Sequence, residues 1–200
     1  MMLTLVFDTE TTGKADFKAA KMDRLHCQPY IVQLGAILYE DQQVVAELNL
    51  IVDPSYKGTR VEVPQEAIDV HGISNEMIEA ASFDHKVVIP MFNQLVRKAD
   101  RLVAHNMQFD LLMARSMFTR IAASHDTLLG VPKVCTMLSA KPVLKLPGKY
   151  GDYKWPSLDE AYRTLVDADG FEGAHDAMVD VRAAAAVLFA LEDAGHPLTH

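Results

Sequence analysis

Short apolar runs separated by polar residues dominate the first quarter of the chain. Residues 3–7 are almost wholly apolar and predict a buried strand that ends beside Asp8. Residues 30–39 and 44–52 predict two more strands, and the polar residues 40–43 between them have the length of a hairpin loop. Together the three runs predict a sheet that begins with antiparallel strands.

Helical spacing replaces this pattern from Pro64 onward. Residues 64–68 predict the start of a short helix, and Ser74 is a typical N-cap for a second one. Apolar residues recur at helical spacing over residues 87–96, which predicts an amphipathic helix. Residues 102–104 then predict a short buried strand, and a helix beginning near Phe109 follows it.

The last third of the chain predicts one more strand, a long loop and two helices. Residues 133–136 predict the strand, whereas residues 141–155 are rich in Pro, Gly, Lys and Tyr and predict the longest loop. Ser157 and Glu160 have the spacing of a capping box, and the last helix is predicted over residues 176–194 with Gly195 as its stop. This alternation predicts an α/β layer architecture with a mixed sheet.

Composition and charge narrow the class of protein. A chain of 200 residues with 50% hydrophobic and 23% charged residues predicts a single globular domain over residues 1–200. Cys27 and Cys135 are not spaced for a disulfide framework or a zinc site, so we expect a reducing, cytoplasmic compartment. No apolar run is long enough to cross a membrane. A net charge of −8 argues against coating nucleic acid by bulk electrostatics, but not against an enzyme whose metal ions neutralise its site.

Four acidic residues and one histidine are the candidate chemical groups. Asp8 and Glu10 follow the first strand and would share one face, Asp110 lies near a helix start, and His175 and Asp180 lie around the start of the last helix. Each has a plainer reading as a turn residue, a helix cap or a surface charge. Four carboxylates around one site would repel one another, so their convergence implies a cation.

Read jointly, these residues resemble a known family. Residues 7–13 (Phe-Asp-Thr-Glu-Thr-Thr-Gly), 105–110 (His-Asn-Met-Gln-Phe-Asp) and 175–180 (His-Asp-Ala-Met-Val-Asp) resemble, in this order, the three motifs of the DnaQ-like DEDDh 3′-to-5′ exonucleases. Residues 71–74 (His-Gly-Ile-Ser) are similar to a His-Gly-Ile-Thr element of that family. Asp176 stands where the related tyrosine subclass has Tyr, so the histidine subclass is the better match.

The resemblance implies a ribonuclease H-like fold, with a five-stranded mixed sheet whose first three strands are antiparallel and which helices flank. It implies that Asp8, Glu10, Asp110 and Asp180 bind two Mg²⁺ or Mn²⁺ ions, and that His175 is the general base for the attacking water. The substrate contacts that it implies are Thr9, Thr11, His71, His105, Asn106 and Phe109, and local packing remains the alternative, most of all for Phe109.

The implied reaction is metal-dependent hydrolysis of the 3′-terminal phosphodiester of single-stranded or frayed DNA to nucleoside 5′-monophosphates. An exoribonuclease or oligonucleotide degrader is one alternative. A non-catalytic module that binds a polymerase or nucleic acid is another, against which the intact acids and His175 argue. A proofreading subunit would usually carry a partner-binding tail, and the chain ends six residues after Ala194, which favours a stand-alone nuclease.

Residues 141–155 add a candidate substrate contact. Lysines alternate there with aromatic residues, a combination that holds single strands through phosphates and stacked bases. The lysines are Lys141, Lys145, Lys149 and Lys154, and the aromatic residues are Tyr150, Tyr153 and Trp155. The alternative is a solvated loop whose Trp155 packs on the core.

Overall fold

A sheet of five strands forms the centre of the protein. The computed structural model describes residues 1–22, 24–149 and 151–199. The strands β1 (Leu3–Thr11), β2 (Ile31–Glu40) and β3 (Gln43–Ile51) are antiparallel neighbours. Asp41 and Gln42 alone connect β2 to β3, and both have positive φ, as a tight hairpin turn of this hand requires.

Two further strands extend the sheet on the other side of β1. After the small hairpin β4 (Ser55–Tyr56) and β5 (Thr59–Arg60), the strands β6 (Arg101–Ala104) and β7 (Lys133–Cys135) run parallel to β1. The order across the sheet is β3-β2-β1-β6-β7. The predicted five-stranded mixed sheet, with its first three strands antiparallel, is therefore confirmed.

Helices flank the sheet. They are α1 (Phe17–Lys21), a 3-10 turn (Leu25–Cys27), α2 (Gln65–His71), α3 (Asn75–Ala81), α4 (His85–Val96), α5 (Met107–Arg120), α6 (Asp126–Gly130), α7 (Thr136–Leu144), α8 (Leu158–Leu165) and α9 (Ala177–Asp193). Phe7 lies in one core cluster with Phe92 of α4 and Met113 of α5, whereas Val6 lies in another with Val181 of α9. Successive residues of β1 thus bury opposite faces of the sheet.

Local capping signals match the structure. The Ser74 hydroxyl accepts a hydrogen bond from the Met77 N–H at 3.2 Å, and Ser157 and Glu160 form a reciprocal capping box. Gly195 ends α9 at a φ of 70°. No helix in the described ranges combines the length and the apolar character that crossing a bilayer requires.

Two sequence predictions about element boundaries were wrong. The first strand does not end before Asp8. Its hydrogen bonding with β2 continues to Thr11, so Asp8 and Glu10 lie within β1. Residues 141–144 are not loop but the last turn of α7, which accommodates Pro142 inside the helix. Tyr150, part of the same predicted loop, lies outside the described residues.

Candidate active site

Asp8 and Glu10 project from the same face of β1. This is the face of Val6, which α9 covers. Burial raises the pKa of Asp8 well above its usual range, and repulsion from Asp110 and Glu10 adds to this shift. Burial, followed by repulsion from Asp180 and Asp110, raises the pKa of Glu10 to about 8. The site therefore disfavours the charged forms of Asp8 and Glu10, because it is buried and holds other carboxyl groups.

Asp110 joins them from the first turn of α5. It is 2% exposed, and its Oδ1 accepts hydrogen bonds from the backbone N–H of Thr9 at 3.1 Å and from the Thr9 hydroxyl at 2.9 Å. Burial raises the pKa of Asp110 to about 7, although the Thr9 hydrogen bonds act in the opposite direction. Thr9 therefore positions Asp110, and the predicted contact of Thr9 with substrate stays a prediction.

Asp180 and His175 complete the cluster from the start of α9. Asp180 Oδ2 accepts the backbone N–H of His175 at 3.2 Å, and Asp180 Oδ1 is buried without a hydrogen-bond partner among the described residues. His175 is exposed and has a φ of 71°, an uncommon conformation for a residue other than glycine. One ring nitrogen of His175 and one carboxylate oxygen each of Glu10 and Asp180 lie within 4.8 Å of one another.

The structure thus brings together the five residues that the sequence singled out for chemistry. Burial raises the pKa of Asp180 as well, so all four carboxyl groups resist ionisation. A divalent cation would remove that resistance, and oxygen ligands suit hard cations such as Mg²⁺. The unpartnered Oδ1 of Asp180 is a free acceptor at the same place. The donor set fits a metal ion.

Three residues that sequence reasoning missed hold α9 in place. Asp176 caps α9 and accepts a hydrogen bond from Gln33 Nε2 at 3.2 Å, while Gln33 Oε1 accepts the Ala177 N–H at 3.1 Å. Gly35, opposite Asp8, lies directly under Ala177. The available signals were a polar Gln33 and a Gly35 within an apolar strand, since glycine in a strand often marks close backbone approach.

A cavity of about 410 Å³ opens beside Glu10 and is lined by Thr11 and His71. His71 Nδ1 accepts the Ile73 N–H at 3.0 Å, so the proton of a neutral ring lies on Nε2. Nε2 is buried, with a backbone group of Thr11 nearby but no well-formed hydrogen bond to the described residues. Burial lowers the pKa of His71, which favours this neutral donor form. The Thr11 hydroxyl donates to the Gly13 carbonyl oxygen at 2.7 Å.

His105, Asn106 and Phe109 differ in what they offer a substrate. Both ring nitrogens of His105 are used internally, Nδ1 with Thr136 Oγ1 at 3.0 Å and Nε2 with the Pro156 carbonyl oxygen at 3.1 Å. The His105 ring therefore connects the end of β6 to α7 and to the chain after Trp155, and its predicted contact with substrate stays a prediction. Asn106 adopts a φ of 75° and lines a second cavity. Phe109 is half-buried against the core, as the packing alternative expects.

The lysine-rich segment is only partly as predicted. Lys154 forms an ion pair with Glu160 of the capping box, so it has a structural partner. Trp155 is 64% exposed, and the alternative in which it packs on the core is wrong. Lys141 Nζ lies 5.8 Å from the centroid of the Trp155 ring.

Comparisons with known proteins agree with this geometry. The exonuclease family model RNase_T matches residues 5–188. "Uncharacterized exonuclease CP81" of Escherichia phage 186 is 26% identical over 203 residues, which cover 96% of this chain and 89% of that protein. The PolC-type DNA polymerase III of Latilactobacillus sakei is 27% identical over 190 residues, 94% of this chain but 11% of the polymerase. The chain thus spans about a tenth of that polymerase.

Solved structures show the same fold. Escherichia coli exonuclease I in complex with a dA16 oligonucleotide superposes with a TM-score of 0.73 at 18% identity, covering 96% of this chain and 41% of that one. Exonuclease I of Methylocaldum szegediense gives a TM-score of 0.72 at 19% identity, covering 96% and 41%. The family model, the shared ribonuclease H-like fold and the three ordered motifs lead to one conclusion: this chain belongs to the RNase_T exonuclease family, among the DnaQ-like exonucleases.

Proposed function

We propose that the protein is a metal-dependent 3′-to-5′ exonuclease that hydrolyses the terminal phosphodiester of single-stranded or frayed DNA and releases nucleoside 5′-monophosphates. The observation that carries this proposal is the convergence of Asp8, Glu10, Asp110 and Asp180, with His175 at the rim. Chemistry on a phosphodiester needs concentrated positive charge, and such a cluster binds it.

The four carboxylates would hold two Mg²⁺ or Mn²⁺ ions. When bound, these cations supply charge neutralisation for the phosphodiester transition state and lower the pKa of the attacking water. The residues of this chain set the geometry: Thr9 fixes Asp110 through two hydrogen bonds, and the His175 backbone fixes Asp180 through one. Asp180 Oδ1, which has no hydrogen-bond partner among the described residues, remains available to a cation.

His175 acts as the general base. Its ring lies close to Glu10 and Asp180 yet is exposed, so it takes a proton from the attacking water and passes it to solvent. The uncommon backbone conformation of His175 points in the same direction, because strained residues cluster at functional sites.

His71 and Thr11 hold the terminal nucleotide in the cavity beside Glu10. The Nε2–H of His71 is a hydrogen-bond donor without a strong internal partner and suits a sugar hydroxyl or phosphate oxygen. The volume of about 410 Å³ is in the range of small-molecule sites.

DNA is the favoured substrate because the exonuclease I structures of similar fold are complexes with DNA oligonucleotides and the polymerase relatives are DNA polymerases. RNA is the second candidate, since the same carboxylate core serves both sugars. A non-catalytic binding module is a weaker candidate because all five chemical groups are present.

End-labelled single- and double-stranded DNA and RNA, incubated with Mg²⁺, Mn²⁺ or a chelator, test the proposal. We expect mononucleotide release from the 3′ end of single-stranded DNA with either metal and none with the chelator. A 3′-phosphate should slow the reaction sharply, and circular single strands should remain intact. Equal cleavage of circular and free-ended strands would indicate an endonuclease, and no release from any substrate would favour the binding module.

A further inference from the structure

A second cavity of about 450 Å³ lies at the same edge of the sheet as the acidic cluster. We call it the Trp155 pocket, and its lining includes Asn106, Leu111, Cys135, Met137 and Trp155. Because β6 and β7 run parallel to β1, the residues that follow them emerge at the edge where Asp8 and Glu10 lie. The pocket and the cluster therefore lie at the same end of these strands, with the apolar lining of the pocket on the α5 face of the sheet and Asp8 and Glu10 on the α9 face.

Helix α5 joins the two sites. Asn106 at its start lines the Trp155 pocket, and Asp110, one turn further, belongs to the cluster. The two residues are about 6 Å apart along the helix axis at 1.5 Å per residue. The cavity beside His71 is lined by the end of β1 and by α2, which packs against Val32 of β2, whereas the Trp155 pocket includes Cys135 of β7. A strand whose 3′ nucleotide occupies the first cavity would leave the cluster towards the second.

The chemistry of the pocket suits a flat aromatic ligand. Leu111 and Met137 supply apolar surface. Trp155 is 64% exposed, and leaving so large an apolar side chain in water is unfavourable unless a partner covers it. Lys141 lies 5.8 Å from the Trp155 ring, and Lys133 is part of the lining, so positive charge borders the pocket in a chain of net charge −8. Apolar surface, an aromatic ring and lysine together match a nucleobase and its phosphate.

We propose that the Trp155 pocket binds an unstacked base of the substrate strand, on the 5′ side of the scissile bond, with Trp155 stacked on that base. This inference rests on the proposed function, because it takes the 3′ end of the strand to lie at the acidic cluster. The hydrogen bond from His105 to the Pro156 carbonyl oxygen holds the backbone that carries Trp155 and thereby keeps the ring at the edge of the sheet.

Trp155 is the single tryptophan of the sequence, so its fluorescence reports directly on the pocket. An Asp8→Asn protein, which should not consume the strand, is titrated with 5′-labelled single-stranded DNA and RNA. Anisotropy of the label measures binding and tryptophan emission measures stacking. We expect both signals to change with the same midpoint. Binding without a change in emission would overturn the pocket assignment while leaving the proposed function intact.

Steady-state kinetics of protein that retains Asp8 give a second test of the pocket. Trp155→Ala should raise the KM for single strands of six or more nucleotides by about five- to fifty-fold and leave the inhibition constant of a nucleoside 5′-monophosphate unchanged, because the mononucleotide occupies only the cavity beside Glu10. Trp155→Phe should largely restore the parent KM. Tyr153→Ala, at an exposed aromatic residue of the same segment outside the pocket lining, is the matched control and should have little effect.

Three results would contradict the proposed role of the Trp155 pocket, and they can be told apart. An equal rise in the KM for long strands and in the inhibition constant of the mononucleotide would mean general damage to the site and would overturn the inference. A change in emission with protein concentration alone would identify the pocket as an interface between copies of the chain and would overturn it too. If the parent protein releases no nucleotide from any substrate, the proposed function fails and this inference fails with it.

Discussion

A Cβ atom at Gly35 would lie 2.8 Å from the carbonyl oxygen of Ala177. The first turn of α9 therefore rests directly on β2, opposite Asp8, and this close approach carries His175 and Asp180 to the acidic cluster. A glycine is required at this position because any side chain would lie within the helix backbone.

Replacing Gly35 by Ala should lower both stability and turnover. The added methyl group forces α9 away from the sheet, at a cost of about 1–3 kcal/mol for overpacking, and it moves Asp180 from the other carboxylates. Denaturant midpoints and initial rates measure the two effects. Gly130→Ala is the control, since its Cβ would meet nothing within 4 Å. A Gly35→Ala protein with parental turnover would show that the placement of α9 is not critical.

Gln33 also holds the start of α9 against the sheet, through its hydrogen bonds to Asp176 and Ala177. Gln33→Met keeps the length of the side chain but removes the hydrogen bonds of Gln33 to the Ala177 N–H and to Asp176 Oδ2, while Asp176 Oδ1 keeps its capping hydrogen bonds. We expect a loss of about 1–3 kcal/mol in the free energy of unfolding and a lower kcat. Asn49→Ala removes only the contact between Asn49 and Gln33 and should have a much smaller effect on kcat. Equal losses in both variants would assign Gln33 a role in the sheet alone.

Asp8→Asn should abolish turnover while stabilising the metal-free protein. Burial, and then repulsion from Asp110 and Glu10, opposes ionisation of the Asp8 carboxyl group, and the substitution removes that group. We expect a rate more than a hundredfold below the parent at saturating Mg²⁺, together with a higher Tm in chelator at neutral pH. Glu79→Gln, at an exposed acid of α3, controls for the loss of one charge. Retained turnover would remove Asp8 from the proposed metal ligands.

His175→Asn should reduce kcat by about 10²–10⁴-fold with little change in metal affinity, as expected for loss of a general base. Asparagine tolerates the left-handed conformation of this residue, so the backbone hydrogen bond to Asp180 is kept. The pH profile of kcat should also lose its lower limb. His125→Ala, distant from the cluster, is the control. A weaker metal affinity with an unchanged pH profile would instead make His175 a ligand.

Metal-free protein should lose stability as the pH rises. The pKa of Glu10 is raised from 4.5 to about 8 and that of Asp110 from 3.8 to about 7, chiefly by burial. The folded state therefore binds these protons more tightly than the unfolded state, so their contribution is complete below about pH 4 and is lost as the pH passes 7 to 8. Tm measured in chelator should fall across this window, and saturating Mg²⁺ should flatten the fall. A Tm that rises from pH 5 to 8 in chelator would contradict the buried cluster.

Much of this arrangement was predictable from local pattern. The strand run before Asp8, the capping box at Ser157 and the three ordered motifs each depend on neighbours within a few residues, and the structure agrees with them. Partners distant in sequence were not predictable. The use of both His105 nitrogens by Thr136 and Pro156 depends on contacts 31 and 51 residues away, which no local signal encodes.

Contacts between residues distant in sequence also explain the other features that the sequence did not predict. The hydrogen bonds from Thr9 to Asp110 were not predictable, because Asp110 lies 101 residues further along the chain. The composition of residues 141–155 predicted a loop from Lys141 onward, yet α7 continues through Pro142 to Leu144. Tertiary packing decides such cases, because the intrinsic preference of one residue is small beside it.

The five chemical groups come from β1, α5 and α9, so the site spans the chain almost from end to end. Any contiguous fragment that contains Asp8 and Asp180 already includes most of the protein, and a cleaved or partly folded chain separates the groups. Mutual repulsion also means that these carboxylates gain nothing from meeting before the sheet brings them together. If the proposed function holds, nuclease activity will therefore report complete folding of this chain.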